Sequence, residues 1–471
     1  MGVLDSLGFN IIGECKVERE KFSSRLGFIL LSAGCAIGIG NVWRFPYVVG
    51  SNGGGIFVLF YIFFLVALGV PIMSMELAVG RASQKSTARS FKVLQKPGQK
   101  WHLQGYAGML GNYVLMMFYT TVAGWMLIYI YYMMAGKFSG LKAEQVADVF
   151  GGMLSSPLLM IVGMILIVVV GFAICSLGLQ AGVEKITKTL MIVLLAIMVA
   201  LAINSITLEG GQEGLRFYLV PDFALMKEIG LSKILLEAMN QAFFTLSLGI
   251  GAMAIFGSYL TKERALLGEA LNIALLDTFV AIVAGLIIFP AAFACGINPD
   301  SGPNLIFITL PNIFNAMPGG RVWGSMFFVF MLFAAFSTVI AVFENIMSSC
   351  MDLWGWSRNK AAIINTIAVI LLSLPCILGF NILSGFEPLG VDTNILDLED
   401  FIVSNLLLPI GALIYTLFCV SRRGWGWDKY IEEANTGKGA KVPNWLRGYS
   451  TWILPIIIII VIINGLYTTL F

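Results

Sequence analysis

The sequence predicts an all-α membrane protein with eleven transmembrane helices, in which helices 1–5 and 6–10 form two inverted repeats and helices 1 and 6 are broken. The first observation is composition, because 58% of the 471 residues are hydrophobic and 12% are charged, against about 25% charged residues in soluble proteins. The second is a series of eleven long apolar segments. The third is a glycine-rich phrase that interrupts two of these segments near their middle.

Each apolar segment is long enough to cross a membrane, because a hydrocarbon core of about 30 Å requires roughly 20 residues of helix. We name the segments span 1 to span 11, and they cover approximately residues 25–50, 55–80, 106–136, 156–175, 180–205, 232–259, 268–296, 321–352, 358–381, 397–421 and 448–470. The connections hold at most roughly 25 residues by the same count. None is large enough for a soluble catalytic domain.

The spans divide the chain into six parts. The N-terminal part does not have the short apolar region of a cleavable signal peptide, because its first apolar run continues into span 1. The parts are a cytoplasmic N-terminal segment (1–24), the first inverted repeat (25–205), an extracellular loop (206–231), the second inverted repeat (232–421), a cytoplasmic loop (422–447) and helix 11 (448–471).

Basic residues predict the orientation of the spans. The loop after span 2 contains no acid and carries Arg81, Lys85, Arg89, Lys92, Lys96 and Lys100. The loop after span 10 carries Arg422, Arg423, Lys429, Lys438, Lys441 and Arg447. Loops rich in lysine and arginine face the cytoplasm. We therefore expect a multi-pass protein of the plasma membrane with a cytoplasmic N-terminus and an extracellular C-terminus.

The two interruptions read AIGIGN at residues 36–41 of span 1 and LSLGIG at residues 246–251 of span 6. A helix broken inside the bilayer leaves N–H and C=O groups unpaired, which is tolerated only where the backbone lines a cavity or meets a ligand. A matched pair of such breaks is typical of the central site of a secondary transporter. The alternative is coincidence in a glycine-rich chain, since small residues also promote helix packing.

Polar side chains accompany the breaks at membrane depth. They are Asn41 in span 1, Gln241, Thr245 and Ser247 in span 6, Asp277 in span 7, and Ser337 and Thr338 in span 8. Oxygen ligands of this kind suit an alkali cation. The helix ends at a break offer N–H groups to a carboxylate and carbonyls to an ammonium group. An amino acid, as a zwitterion, matches both ends.

Several of these residues also have a purely structural interpretation. In this interpretation the Ser337 and Thr338 hydroxyls form hydrogen bonds only within their own helix. Glu76 and Glu344 are interpreted as structural carboxylates, each satisfied by nearby backbone. Asp277 is harder to explain in this way, because an unpaired carboxylate in lipid is costly.

Other classes of site are excluded or disfavoured. His102 is the single histidine, so a histidine metal site and a Ser-His triad are nearly excluded. The seven cysteines show no C-x-x-C pattern, are interpreted as small buried hydrophobic residues, and predict no disulfide. No nucleophile–base set or cofactor loop is present, so we expect no enzyme and no cofactor besides ions. The net charge of +2 predicts no nucleic-acid partner.

Several motifs resemble those of the neurotransmitter:sodium symporter family. They are SRLG at residues 24–27, AGCAIGIGNVWRFP at 33–46, NGGG at 52–55, ELAVGR at 76–81 and QAFFTLSLG at 241–249. Eleven helices with short termini resemble the bacterial branch that includes transporters of hydrophobic and aromatic amino acids. The resemblance implies sodium-coupled import of a neutral amino acid by alternating access. The alternative is a substrate sensor or a channel-like protein of the same fold.

The resemblance also implies two sodium sites. The first would use the Ala36 carbonyl, the side chains of Asn41, Thr245 and Asp277, and the substrate carboxylate. The second would use the carbonyls of Gly34, Ile37 and Ala334 and the hydroxyls of Ser337 and Thr338.

For the substrate, the resemblance implies a pocket between the two breaks. Its residues would be Ala36, Ile39, Gly40, Leu115, Tyr119, Phe244, Ser247, Ile250, Thr338 and Val342. Tyr119 and Phe244 would form a thin outer lid. An Arg44–Asp400 ion pair would close the outer side. Arg19 and Asp352, near Phe22 and Tyr259, would close the inner side.

One departure from the family pattern predicts independence from chloride. Many members of the family have asparagine where this chain has Asp277, and the chloride-dependent members have serine where it has Ala281. Chloride supplies a negative charge beside the first sodium in those members. The Asp277 carboxylate can supply that charge instead.

Overall fold

The computed structural model describes residues 19–296 and 305–470. Within these ranges the regular structure is helical, and β-type pairing is limited to one isolated bridge between Arg264 and Lys438. The predicted all-helical class is therefore confirmed. Most of the predicted N-terminal segment, with Cys15, lies outside the described residues.

Nine helices of the described chain are long and apolar enough to cross a membrane. They are Gly55–Ser83, His102–Met134, Pro157–Ser176, Leu179–Ile206, Leu266–Ala294, Gly320–Trp354, Arg358–Leu378, Ile395–Val420 and Leu446–Tyr467. These helices lie at the places of spans 2–5 and 7–11, and we keep the span numbers for them. Short segments of π-helix, such as Ile402–Leu407 in span 10, interrupt several of them.

Span 1 is a bent pair of helices. Arg25–Ala36 is followed by Gly40–Ser51, and the two axes differ by 56°. Counted as one span, this pair brings the number of crossing helices to ten. The total of eleven and the inverted relation of the two halves remain predictions.

Span 6 consists of two shorter helices, Leu231–Thr245 and Ala252–Ser258, separated by residues 246–251. The inner piece packs backbone to backbone against span 2. A Cβ atom at Gly80 would overlap the Ala254 carbonyl, and one at Gly257 would overlap the Leu77 carbonyl. Small residues allow this close approach, which is typical of helix packing in membranes.

The loops between spans contain further helices of their own. They are Thr87–Leu94, Ala143–Leu154, Gly211–Leu219, Phe223–Ile229, Leu310–Ala316 and Trp427–Ala434. The basic loops after spans 2 and 10 lie together. The Lys96 ammonium donates to the Arg422 carbonyl at 2.9 Å, and the Trp101 indole N–H donates to the Arg423 carbonyl at 2.9 Å.

Candidate functional site

The break in span 1 follows directly from the local backbone. The helix ends at Ala36, Ile37 is extended with φ −71° and ψ 98°, and helical backbone resumes as a π-helical turn at Gly40–Arg44. The Ile39 N–H has left the helical pattern and donates to the Tyr119 hydroxyl of span 3 at 3.0 Å. The break therefore presents main-chain groups to a neighbouring span.

The break in span 6 depends on backbone with positive φ, which is 50° at Ser247, 106° at Gly249 and 78° at Gly251. Glycine adopts these angles without steric cost. The freed N–H groups are bound by one carboxylate, because Glu76 of span 2 accepts from Gly249 N–H at 2.5 Å and from Met253 N–H at 3.2 Å. The interpretation of Glu76 as a carboxylate satisfied by backbone is confirmed.

The freed carbonyls of this break are also bound by side chains. Gln104 donates to the Gly249 carbonyl at 2.8 Å, and Asn112 donates to the Ile250 carbonyl at 3.0 Å. Thr87 donates to the carbonyl that follows, at Gly251, at 2.9 Å. Buried backbone polar groups are costly when unpaired, so these three residues allow the helix to remain broken within the core.

The first cluster of oxygen atoms surrounds Asp277. The Asn41 amide donates to the Asp277 carboxylate at 2.9 Å, and the Thr245 hydroxyl donates to its other oxygen at 3.2 Å. All three side chains are buried. The structure therefore brings the three predicted side chains of the first sodium site together from spans 1, 6 and 7.

The second cluster surrounds the hydroxyls of Ser337 and Thr338. Ser337 donates to the carbonyls of Gly34 at 2.8 Å and Ala334 at 2.9 Å. Thr338 lies within hydrogen-bond distance of the carbonyls of Gly34 at 3.2 Å and Ile37 at 3.3 Å. All five groups that were predicted as ligands of the second sodium ion thus lie together. These hydroxyls bond across to span 1 as well as within their own helix.

The chemistry of both clusters fits sodium as a transported ion. The second cluster contains carbonyl and hydroxyl oxygens, and the first contains the Asp277 carboxylate and the Thr245 hydroxyl, with the Asn41 amide donating to the carboxylate. Hard oxygen atoms without thiol or imidazole ligands favour alkali and alkaline-earth cations over transition metals. Among the described residues, no group of three or more histidine, cysteine or acidic side chains has the geometry of a metal site.

A cavity of about 20 Å³ lies between the two breaks. Seven of the ten predicted substrate residues line it: Ala36, Gly40, Leu115, Tyr119, Phe244, Ser247 and Thr338. Cys35 and Gly38 add to the lining from span 1, and Val403 and Leu408 add to it from span 10.

Three predicted substrate residues lie outside this lining. They are Ile39, whose N–H binds Tyr119, and Ile250 and Val342, which are both about 1% exposed. Ile250 packs toward span 3, because a Cβ atom at Gly111 would lie 2.9 Å from its Cγ2. The wall from span 10 had no sequence signal, because Val403 and Leu408 are ordinary apolar residues in an apolar span.

The inner side of the molecule is closed by the predicted contacts. The Arg19 guanidinium lies 3.4 Å from the Asp352 carboxylate and 4.8 Å from the centre of the Tyr259 ring. The Phe22 and Tyr259 rings are 5.8 Å apart in an edge-to-face arrangement. Asp352 is fixed further by the Ser86 N–H, which donates to it at 2.6 Å.

The outer side differs from the prediction, because the Arg44–Asp400 ion pair is not formed within the described chain. The Arg44 guanidinium lies over the Phe244 ring, 4.3 Å from its centre. Asp400 accepts instead from the Ser404 hydroxyl at 2.7 Å. A cation–π contact over the cavity thus takes the place of the predicted pair.

Glu344 is also satisfied differently from the prediction. Its carboxylate binds side chains and not backbone: the Arg358 guanidinium at 2.9 Å and the Tyr259 hydroxyl at 2.7 Å. A buried carboxylate requires such partners. The residue that could have indicated this ion pair in the sequence is Arg358, a basic residue at the start of span 9 that lies 14 positions after Glu344.

The amino-acid sequence matches a known family of transporters. Residues 19–147 and 151–470 match the sodium:neurotransmitter symporter family. A sodium-dependent transporter of Bacillus subtilis, itself uncharacterized, is 33% identical over 450 residues, which cover 94% of this chain and 97% of that protein. The sodium-dependent serotonin transporter of Drosophila melanogaster is 24% identical over 503 residues, which cover 96% and 77%.

A solved structure agrees with the fold. The crystal structure of MhsT in complex with L-phenylalanine superimposes with a TM-score of 0.84 at 38% sequence identity. The match covers 95% of this chain and 100% of that chain.

Proposed function

The chain belongs to the sodium:neurotransmitter symporter family, and we propose that it imports a neutral hydrophobic or aromatic amino acid with sodium, by alternating access and without chloride. It is a multi-pass membrane protein and a sodium-dependent transporter, not an enzyme. Beyond membership of the family, the proposal concerns the substrate class, the two sodium sites, the independence from chloride and the membrane topology.

One observation carries the proposal: two broken helices meet at one cavity, and oxygen clusters lie at or next to its lining. Gly40 and Phe244 line the cavity, and each is followed in the chain by a residue of the first oxygen cluster. Ala36, at the end of the first half-helix, and Ser247, within the second break, both line it. Thr338 lines it too and belongs to the second oxygen cluster. The cavity of about 20 Å³ has room for about one water molecule, so its walls would have to move apart to admit an amino acid. The amino acid would then lie within reach of free main chain and beside the second cluster.

The orientation of the substrate follows from the polarity of the helix ends. Backbone N–H groups near Ile39 and Gly40, together with the Tyr119 hydroxyl, would bind the carboxylate, since helix N-termini favour negative charge. Carbonyls of Ala36 and Phe244 and the Ser247 hydroxyl would bind the ammonium group. The carboxylate would then lie near Asn41 and complete the first sodium site.

Coupling between sodium and substrate arises from that shared contact. If the substrate carboxylate is a ligand of the first sodium, each raises the affinity of the other, and the two effects are equal by thermodynamic linkage. Release of the second sodium to the cytoplasm would free the inner half of span 1 from Ser337 and Thr338. The inner side would then open.

The substrate class is argued from the cavity wall. Among the residues that the structure describes, no charged side chain lines the cavity, and a second buried charge on the substrate would be costly without a partner. Acidic and basic amino acids are therefore disfavoured. The complex of L-phenylalanine with MhsT, which is 38% identical to this chain, supports a hydrophobic or aromatic substrate.

We count span 6 as one interrupted crossing, which makes eleven spans with an inverted relation between spans 1–5 and 6–10. The basic loops after spans 2 and 10 contact each other, so they lie on one side of the molecule. We assign that side to the cytoplasm by the positive-inside rule. The N-terminus is then cytoplasmic and the C-terminus extracellular.

Uptake into proteoliposomes tests the central proposal. An inward sodium gradient should drive accumulation of labelled hydrophobic amino acids above equilibrium, and an equal potassium gradient should not. Sodium-dependent binding without accumulation would indicate a sensor. Ion currents far above carrier turnover would indicate a channel. Either result would refute the proposed symport.

Replacing chloride by gluconate on both sides of the same proteoliposomes tests the role of Asp277. The uptake rate should stay unchanged, because the carboxylate remains beside the first sodium site whichever anion is present. A loss of most of the rate in gluconate would contradict this part of the proposal. The sodium concentration is held constant as the control.

A further inference from the structure

Span 10 forms a wall of the cavity that neither the motifs nor the proposed sodium sites use. Val403 is fully buried and Leu408 is 3% exposed, and both line the cavity. Both residues follow Asp400 in span 10. Their contribution is purely apolar.

The backbone holds this wall in place. Residues 402–407 form a π-helical turn, and the Leu408 N–H donates to the Val403 carbonyl. Span 10 also touches the break in span 6 directly. A Cβ atom at Gly249 would overlap the Leu408 carbonyl, and one at Gly411 would overlap the Gly249 carbonyl. Such close backbone contact leaves the wall little freedom to retreat.

The lining of the cavity contains both polar and aliphatic side chains. Tyr119, Ser247 and Thr338 supply the side-chain polar atoms. Leu115 of span 3 and the two residues of span 10 supply aliphatic surface. The charged groups of a bound amino acid require polar partners, so its apolar side chain would pack against the aliphatic part of the lining.

We propose that Val403, supported by Leu408, sets the upper limit on the size of the substrate side chain. This inference rests on the proposed function and deepens it. Val403 is the better residue of the pair to substitute, because the Leu408 backbone also packs directly against Gly249 in the break of span 6. The class of amino acid that is transported then depends on span 10 as well as on the spans that bind the carboxylate and ammonium groups of the substrate.

Competition binding on the purified full-length protein tests the inference, with radiolabelled L-phenylalanine and unlabelled L-leucine in sodium. Val403→Ala removes two methyl groups, and each carbon in an apolar pocket changes discrimination about tenfold or more. The affinity for phenylalanine relative to leucine should therefore rise by at least about tenfold. Val403→Leu should lower the same ratio. Opposite shifts in the two variants are the expected result.

Val369→Ala is the matched control. Val369 is a valine of span 9 with 1% exposure that lies outside the cavity lining, so its truncation should leave the ratio unchanged. If both Val403 variants bind with the wild-type ratio, the inference is overturned. If the wild-type protein binds no hydrophobic amino acid in a sodium-dependent manner, the proposed function itself fails. Should Val403→Ala not fold, the Val403→Leu ratio decides alone.

Discussion

Two adjacent hydroxyls on span 8 hold the end of the first half-helix. Ser337 and Thr338 together contact the carbonyls of Gly34, Cys35 and Ile37, all at the last turn before or just inside the break. Carbonyl oxygens repel one another, so a group of them is stable only around a donor or a cation. The hydroxyls stabilise this arrangement of main chain, and a sodium ion bound at the proposed second site would stabilise the same arrangement.

Thr338→Ala should weaken the dependence of substrate binding on sodium. Loss of one oxygen ligand, at about 1–1.5 kcal/mol for a hydrogen-bond-like contact, should raise the sodium concentration for half-maximal binding by about tenfold. Scintillation proximity binding of labelled substrate across a sodium titration measures this.

Thr416→Ala is the control for the loss of a buried threonine, because the Thr416 hydroxyl donates only within its own helix, to the Ala412 carbonyl at 2.8 Å. It should leave the sodium titration unchanged. Identical titrations for Thr338→Ala and the wild type would remove Thr338 from the second sodium site.

Asp277→Asn should lower the apparent affinity for sodium and introduce a response to chloride. The substitution keeps the shape of the side chain but removes the charge that faces Asn41 and Thr245. A chloride ion bound nearby should then restore part of the binding, whereas the wild type should not respond. Sodium titrations in chloride and in gluconate provide the measurement.

The neighbouring residue gives the control for this substitution. The Thr278 hydroxyl donates to the Ala274 carbonyl of its own helix at 2.8 Å and takes no part in the cluster. Thr278→Val should therefore behave as the wild type in both anions. Equal sodium affinity for Asp277→Asn and the wild type would show that the carboxylate is not a ligand.

At the scale of whole elements, the two broken helices differ in how they are held. Span 1 ends in an extended residue and is bound mainly by hydroxyls of spans 3 and 8. Span 6 turns through three residues of positive φ and is bound by Glu76, Gln104 and Asn112. Hydroxyl groups thus hold the first break, whereas amide and carboxylate groups hold the second.

Gly249→Ala should disrupt the second break and abolish substrate binding. Gly249 has φ 106°, a conformation that L side chains rarely adopt, and a Cβ atom there would overlap the Leu408 carbonyl. Strain and overlap together should cost at least about 1–3 kcal/mol. Thermal unfolding of the purified protein and substrate binding report the two effects.

Gly151→Ala is the matched control, because Gly151 is helical and a Cβ atom there would have open space. Alanine should be neutral or slightly stabilising at that position. If Gly249→Ala melts and binds as the wild type does, the break does not require glycine and the packing against span 10 is not rigid.

The sequence was sufficient to predict the breaks and most of the groups beside them, because each break is local: glycine and hydroxyl residues stand at the interruption itself. Residue type and depth also marked Asp277 as a candidate functional residue, but not its grouping with Asn41 and Thr245. The resemblance to a known family supplied the pairing between spans.

The remaining features depend on contacts between residues far apart in the chain. Gln104 meets Gly249 across 145 positions, and no local pattern marks that contact. Arg44 lies over Phe244 instead of Asp400, a choice between two partners that only the packed structure decides. The wall at Val403 likewise follows from how span 10 packs on a break in span 6.

For the molecule as a whole, the two sides of the cavity are closed to different degrees. The inner side has an ion pair, a cation–π contact and an aromatic contact, joined through Arg19, Asp352 and Tyr259. The outer side has Arg44 over Phe244 without an ion pair in the described chain. In alternating access, the balance between these two closures sets the populations of outward- and inward-facing states.

Asp352→Ala should shift this balance toward the inward-open state. The two side chains of the pair are 15% and 14% exposed, so solvent screens the interaction only in part. A change of about 1.4 kcal/mol alters the ratio of the two states tenfold, which is large enough to detect. Cys35 offers a native reporter, because it is a free cysteine that lines the cavity and is 1% exposed.

The rate of maleimide labelling at Cys35 measures the shift, in protein carrying Cys15→Ser and Cys295→Ser to remove two other thiols. Asp352→Ala should raise this rate by about tenfold, and Cys35→Ser should abolish the added labelling. Asp428→Ala is the control, because Asp428 is 91% exposed in its pair with Arg447 and a surface pair of that kind contributes little. Equal labelling rates in Asp352→Ala and Asp428→Ala would show that the Arg19–Asp352 pair does not keep the inner side closed, and that the aromatic contact between Phe22 and Tyr259 is sufficient.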